Sequence, residues 1–192
     1  KETLSAIKSA DPESIAVIAG TKTAELWGER VLSLVKRSGV PAELFAFSEG
    51  EHNKNQETVT NLQHALLKKH VGRRALIIAL GGGVVGDIVG YVAATYLRGV
   101  PYLQMPTTLL AMVDSSVGGK VGVNTPCGKN TVGAFYLPHA VITDLQFLSE
   151  LPREHVVNGL IEAIKEFFTC DASGLDDARK INLDDPLATR DV

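Results

Sequence analysis

Cysteine is scarce: only Cys127 and Cys170 occur among 192 residues. Two are too few for a disulfide framework, and they lack the paired spacing of a zinc finger. That usage fits a reducing cytoplasm, the compartment we expect. Long apolar runs are missing as well. The longest candidate, residues 88–97, ends at Arg98 and falls short of the ~18–20 residues that a membrane span needs. The opening residues, Lys-Glu-Thr-Leu-Ser-Ala-Ile-Lys, offer neither the apolar stretch nor the cleavage site of a signal peptide. They also lack an initiating Met, so a fragment of a longer protein is the expectation. Excess positive charge is absent: 19 basic side chains face 22 acidic ones, a formal charge of −3. Without a basic footprint, nucleic acid is not an expected partner. His52, His64, His70, His139 and His155 show no metal-ligand spacing and read as solvent-facing or structural. No internal repeat or low-complexity tract interrupts the chain.

What is present is an ordinary globular composition, 45% apolar and 21% charged. A chain of this size buries a sizeable core, as one domain or one plus part of another. Short apolar runs alternate with amphipathic segments. Strands are expected at residues 14–19, 43–47, 75–80, 100–105 and 141–143. Helices are expected at residues 22–37, where Leu26, Val31, Leu34 and Val35 recur at helical spacing, and at 56–70, where Val59, Leu62, Leu66 and Leu67 do. A third, residues 86–97, is rich in Gly, Ala and β-branched side chains, and a fourth spans 153–168. Repeated strand–helix units predict an α/β fold, a Rossmann-like parallel sheet with helices on both faces. The fourth helix then opens an α-helical second domain, dividing the chain at 1–151 and 152–192. Residues 113–135, rich in Gly, Asn, Ser and Lys without periodicity, read as one long functional loop. The tail from 171 is acidic and polar.

Three groups of residues could carry chemistry. Gly81-Gly82-Gly83-Val84-Val85-Gly86-Asp87 lies between a strand and a helix. Glycines let backbone approach a ligand, and a helix start offers free amides and a positive dipole end, which suits a dinucleotide pyrophosphate. The run departs from the usual Gly-x-Gly-x-x-Gly and falls at the third strand rather than the first, so glycines that merely turn the chain are the alternative. Next, Asp114, Lys120, Asn124, Lys129 and Asn130 stand on the Gly-rich stretch. They suit an anionic, polyhydroxylated ligand, or are solvated loop charges. Finally, Glu162 and Lys165 are three apart on one helix and face the same way, as a shared site or a surface ion pair.

Longer motifs go further. Residues 81–100 (Gly-Gly-Gly-Val-Val-Gly-Asp through Leu-Arg-Gly-Val) are followed by 106–124 (Pro-Thr-Thr-Leu-Leu-Ala-Met-Val-Asp-Ser-Ser-Val-Gly-Gly-Lys through Asn). Then come 128–138 (Gly-Lys-Asn-Thr-Val-Gly-Ala-Phe-Tyr-Leu-Pro) and Leu-Pro-Arg-Glu with Asn-Gly-Leu-Ile-Glu-Ala-Ile-Lys downstream. In this order they resemble the 3-dehydroquinate synthase family of sugar-phosphate cyclases, densely from Glu49 to Lys165. The resemblance implies NAD and a divalent metal, zinc or cobalt, as cofactors, a small sugar-phosphate substrate and a homodimer. It implies that Glu49, Glu51 and Lys54 hold the adenosine side of NAD, with Gly82, Gly83, Val84, Val85, Gly86 and Asp87 at its pyrophosphate. Thr107 and Thr108 fall at the nicotinamide side, and Phe147, Leu148, Ser149 and Glu150 at a further cofactor segment. Lys120 and Lys129 match lysines that bind cofactor or substrate. Asp114, Asn130 and Lys165 match substrate contacts, Glu162 a metal ligand, and Arg98 an arginine reaching the neighbouring subunit's site. Glu166-Phe167-Phe168 departs from the family pattern, so different packing is expected after Lys165. The family's two histidine metal ligands and an N-terminal strand fall outside this chain, again implying a fragment. Related cyclases of the valiolone or inosose synthase type, a metal-dependent polyol dehydrogenase, and a non-catalytic nucleotide-binding module are the other readings.

Overall fold

The computed structural model describes residues 1–170, 172–178 and 180. A short helix, α1 (Glu2–Ala10), precedes the first strand, β1 (Ser14–Gly20). The chain then runs helically through Thr21–Thr23, a π-helical turn at Ala24–Gly28 and α2 (Glu29–Lys36) into β2 (Ala42–Phe47). The helix α3 (Gln56–Lys68) leads to β3 (Ala75–Gly81), and α4 (Gly83–Thr95) leads to β4 (Tyr102–Pro106). After a hairpin of β5 (Lys120–Thr125) and β6 (Gly128–Phe135), a two-residue strand, β7 (Ala140–Val141), precedes α5 (Arg153–Thr169).

Five strands form one parallel sheet in the order β2-β1-β3-β4-β7. Its central strands are covered on both sides, which is why their sequences are unbroken apolar runs rather than alternating ones. Every residue of β3 is buried. Successive residues still part to opposite faces. Ala16, Ile18, Ile77 and Ala79 pack under α3 and α4, whereas Ile15, Val17, Leu76 and Ile78 pack with Ile7 of α1 and Val31 and Val35 of α2. The doubly covered parallel sheet expected from the repeating pattern is therefore present. Because β1 lies between β2 and β3, the sheet grows in one direction and then the other from β1. A crevice opens at such a reversal, outside the carboxyl ends of the strands; here those ends are Gly20 and Gly81.

Several boundaries differ from the sequence reading. The stretch 113–135 is not one loop. It holds a helical turn at Ala111–Ser115 and the antiparallel hairpin, whose buried residues Val121 and Val123 join the core beneath α4. Glycine at 122, 128 and 133 had hidden the alternation. Gly122 and Gly133 are opposed, and a Cβ on Gly133 would stand 2.1 Å from the Val121 carbonyl oxygen. The strands cross too closely there for side chains. The helix α4 begins at Gly83, three residues before the expected 86, and ends at Thr95. Leu97 (φ 50°), Arg98 (φ 73°) and Gly99 (φ 113°) then turn left-handed in succession. Arg98 therefore sits on an exposed turn beyond the helix. The expected acidic tail lies mostly outside the described residues. Among the described residues no helix is long and apolar enough to cross a membrane.

Candidate functional site

The turns that follow Gly20 and Gly81 line a groove of about 410 Å³ at the strand ends. Gly82 is the N-cap of α4 and no side chain caps that end. The first amides of α4, on Gly83, Val84 and Val85, therefore lack intrahelical acceptors, and all three residues line the groove. Backbone amides backed by a helix dipole make an anion site, so these residues fit a dinucleotide pyrophosphate. Local packing also requires the glycines. A Cβ on Gly81 would meet Val85 at 2.6 Å, and one on Gly83 would meet the Ser115 hydroxyl at 2.8 Å. Gly86 is different. Its N–H donates to Gly82 O at 3.0 Å, and its Cβ position is 2.9 Å from Gln104 Nε2. It faces the sheet and leaves the groove to its neighbours.

Glu49, Thr107, Thr108, Phe147 and Glu150 line the same groove, as the motifs led us to expect. Thr108 Oγ1 accepts from Ala111 N–H at 3.2 Å and fixes the helical turn that follows. Glu49 stands over Gly20, where a Cβ would lie 2.7 Å from its carboxylate, and accepts from Lys22 N–H at 3.0 Å. Phe147 is held edge-on to Trp27, with ring centroids 5.2 Å apart. Leu148 is buried beside it, and Ser149 spends its hydroxyl on Gln146 O; neither lines the groove. Trp27 and His155, which do, were missed because an isolated Trp or His carries no spacing signal.

Glu51 and Lys54 part company with Glu49. Lys54, only 5% exposed, donates to Asp87 Oδ2 and to Asn130 Oδ1, each at 2.5 Å. It joins the 51–54 turn, the first turns of α4 and the hairpin in one partly buried cluster. Burial pushes the Asp87 carboxyl above the ordinary range, although Lys54 pulls the other way. Asn124 Nδ2 donates to Glu51 Oε1 at 2.8 Å, and Lys129 is 3.6 Å from the same oxygen. The Asn124 hydrogen bond, followed by the attraction of Lys54 and Lys129, holds Glu51 below its ordinary range despite some desolvation. Asn130 sits at φ 54°, a left-handed position that Asn tolerates better than most residues, with its N–H on Asn124 Oδ1.

A second cavity of about 470 Å³ lies beside this cluster, and Asp87, Asp114, Lys120 and Asn130 line it. Four of the residues singled out in the sequence thus converge, with one cation among two carboxylates and an amide. The groove and the cavity flank the same helix end, Val84 and Val85 facing one and Asp87 the other. Lys129 lines neither. Asp114 and Lys120 are exposed.

The helix α5 crosses the turn at 109–115 at Gly159, where a Cβ would lie 2.5 Å from Leu110 N. Glu162, one turn on, is bonded to Lys165, whose pKa is raised by Glu162 and then Glu166. Among the described residues no three His, Cys, Asp or Glu side chains come together to hold a metal. One lysine-paired carboxylate does not amount to a metal site, which ordinarily needs three protein ligands. Arg98 lines neither the groove nor the cavity and its side chain has no polar partner among the described residues.

A parallel sheet with an uncapped helix end at its switch point, beside a cavity lined by Lys, Asp and Asn, defines an α/β chain of the Rossmann-like class. The profile described as 3-dehydroquinate synthase N-terminal matches residues 44–158. The chain belongs to the 3-dehydroquinate synthase family. A 3-dehydroquinate synthase of Bordetella pertussis is 46% identical over 171 residues, 89% of this chain and 48% of the relative. One of Pelobacter propionicus is 47% identical over 151 residues, 79% of this chain and 42% of the relative. The chain thus spans about half the length of these curated relatives. Among solved structures, 2-deoxy-scyllo-inosose synthase, complexed with carbaglucose-6-phosphate, NAD+ and Co2+, has a TM-score of 0.80 and 31% identity. That match covers 87% of this chain and 46% of the other. The 2-epi-5-epi-valiolone synthase of Streptomyces hygroscopicus, with NAD+ and Zn2+ bound, has a TM-score of 0.85 and 29% identity, over 96% of this chain and 52% of the other.

Proposed function

We propose that the protein acts as a 3-dehydroquinate synthase. It converts 3-deoxy-arabino-heptulosonate 7-phosphate to 3-dehydroquinate and phosphate. The observation that carries this reading is the placement of two sites across one helix end, with uncapped amides toward a groove and Asp87 toward a polar cavity. NAD, when bound in the groove, would supply a reversible hydride acceptor, so that no net redox would occur. The chain's own residues bind and orient. The amides of Gly83, Val84 and Val85 hold the pyrophosphate, Thr107 and Thr108 flank the nicotinamide end, and Glu49, Phe147 and Glu150 wall the groove. Lys120 contacts the anionic groups of the substrate, and its ammonium stabilises charge that develops as phosphate departs. Asp114 and Asn130 hydrogen-bond ring hydroxyls in the cavity, with Lys129 at its outer approach. The Lys54 cluster keeps Asp87 and Asn130 in place.

We assign Glu162 as one ligand of a divalent metal, zinc or cobalt, and Lys165 as a substrate contact on α5. The division at 1–151 and 152–192, a homodimer in which Arg98 serves the partner's site, and a cytoplasmic location complete the reading. The test is an assay of the full-length protein with the heptulosonate phosphate. Inorganic phosphate and 3-dehydroquinate should appear in equal amounts without net NADH. Net NADH from a polyol would instead mark a dehydrogenase, and turnover of another sugar phosphate alone would move the assignment to an inosose or valiolone synthase. NAD binding without any turnover would leave a nucleotide-binding module.

A further inference from the structure

The glycine turn has a hidden side. Gln104 in β4 and Ser116, two residues after Asp114, are 4% and 5% exposed. Gln104 Oε1 and Ser116 Oγ are fully buried, yet neither has a hydrogen-bond partner among the described residues. Buried polar atoms are nearly always paired, so two orphans close together need an explanation. Both residues line one small cavity with Gly82, Gly86 and Ser115. The cavity has about 10 Å³ of room for water, about the least that holds a single molecule. No charged side chain lines it, so an ion would be stranded there. A water molecule suits both orphans: it donates to the amide oxygen, which only accepts, and exchanges a bond of either polarity with the hydroxyl.

We propose that one structural water occupies this cavity, hydrogen-bonded to Gln104 Oε1 and Ser116 Oγ. It ties the underside of the glycine turn to the turn that carries Asp114. Gln104 and Ser116 are then positioning residues, acting through the two turns and lining neither the groove nor the second cavity. Gly86 belongs to the same device, because a side chain there would displace the Gln104 amide.

A crystal structure of the full-length protein, at a resolution that orders solvent, decides the occupant. Density for one water within ~2.7–3.2 Å of both atoms is expected. No density, or a Gln104 amide turned to bond Ser116 directly, overturns the proposal. Variants then decide the tie. Ser116→Ala and Gln104→Met should each weaken NAD binding by ~3-fold or more, measured by calorimetry, and the double variant should lose less than the product of the two. Unchanged affinity in both, or strictly multiplicative losses, overturns the tie. This arm rests on the reading of the groove as an NAD site. Wild-type protein that fails to bind NAD refutes that reading, whereas equal affinity in wild type and variants refutes this one.

Discussion

Lys54 shows how much one buried charge organises. It is a lone Lys in a polar stretch of sequence, and only the motif drew attention to it; the fold sets it under α4 with Asp87 and Asn130 as partners. Removing one partner of such a pair leaves the other charge uncompensated. Lys54→Met should lower unfolding stability by ~3–5 kcal/mol in urea titrations; a loss near zero would mean that water reaches the cluster. Asp87 gives a pH signature. Its folded pKa lies above the ordinary 3.8 because burial outweighs Lys54. The folded chain therefore holds that proton more tightly than the unfolded chain, and stability falls as pH rises through the interval between the two values. Asp87→Asn removes this titration. Relative to wild type, the variant should gain stability as pH rises through that acid interval, read from denaturant midpoints across a pH series. A gain in the opposite direction would show a depressed carboxyl. Glu51 runs the other way, its contribution present above its ordinary pKa and lost as pH falls, but its exposure keeps the effect small.

At the scale of elements, what could be read in advance followed from burial. The four main strands and four helices announce themselves because apolar runs and helical periodicity persist wherever a segment has one or two covered faces, and all were found within about three residues of their expected ends. The hairpin at 120–135 was illegible because its outer face is open to solvent and its strands meet through glycines. The site residues divide in the same way. Gly83 and Thr107 fall beside element ends that the pattern locates, so their convergence follows from the sheet, whereas Asp114 lies on a turn that the pattern read as loop. The turning of Glu51 and Lys54 toward the hairpin, and the meeting of Gln104 and Ser116 on one small cavity under the glycine turn, depend on a three-dimensional arrangement that spacing does not encode. Gly90 illustrates the tightness of one such contact. A Cβ there would lie 2.4 Å from Val121 Cγ1, so α4 and β5 touch without room for a methyl. Gly90→Ala should cost about 1–3 kcal/mol by overpacking, unless Val121→Ala is made with it. Thermal unfolding of the single and double variants checks this, and an unrescued loss would place the strain elsewhere. Gly159→Leu should likewise push α5 off the turn at 109–115, seen as rapid hydrogen exchange confined to α5 and that turn.

For the molecule as a whole, ligand linkage is the most direct probe. If the groove takes NAD, saturation near 100 times Kd should stabilise the folded chain by ~2.7 kcal/mol, visible as a rise in Tm. No shift at millimolar NAD would empty the groove of that assignment. Metal content is a separate measure. One carboxylate bonded to a lysine will not retain an ion, so elemental analysis of the 192-residue chain after dialysis should find far less than one zinc or cobalt per chain. Stoichiometric metal would mean that ligands other than Glu162 assemble here.

The strand order also has a consequence during synthesis. In space β1 lies between two neighbours, but in time both of those neighbours, β2 and β3, are made after it. Its seven residues, Ser-Ile-Ala-Val-Ile-Ala-Gly, carry no charge and bury six of their members only once β2 and β3 have joined. The end of β3 lies roughly sixty residues further along the chain. At ribosomal speeds that interval lasts ~3–12 s. Until β2 emerges both edges of this uncharged, β-prone segment are open, and until β3 emerges one still is, the kind of surface on which chains pair with each other. The strand that anchors the finished sheet is therefore the segment most in need of protection before the sheet exists.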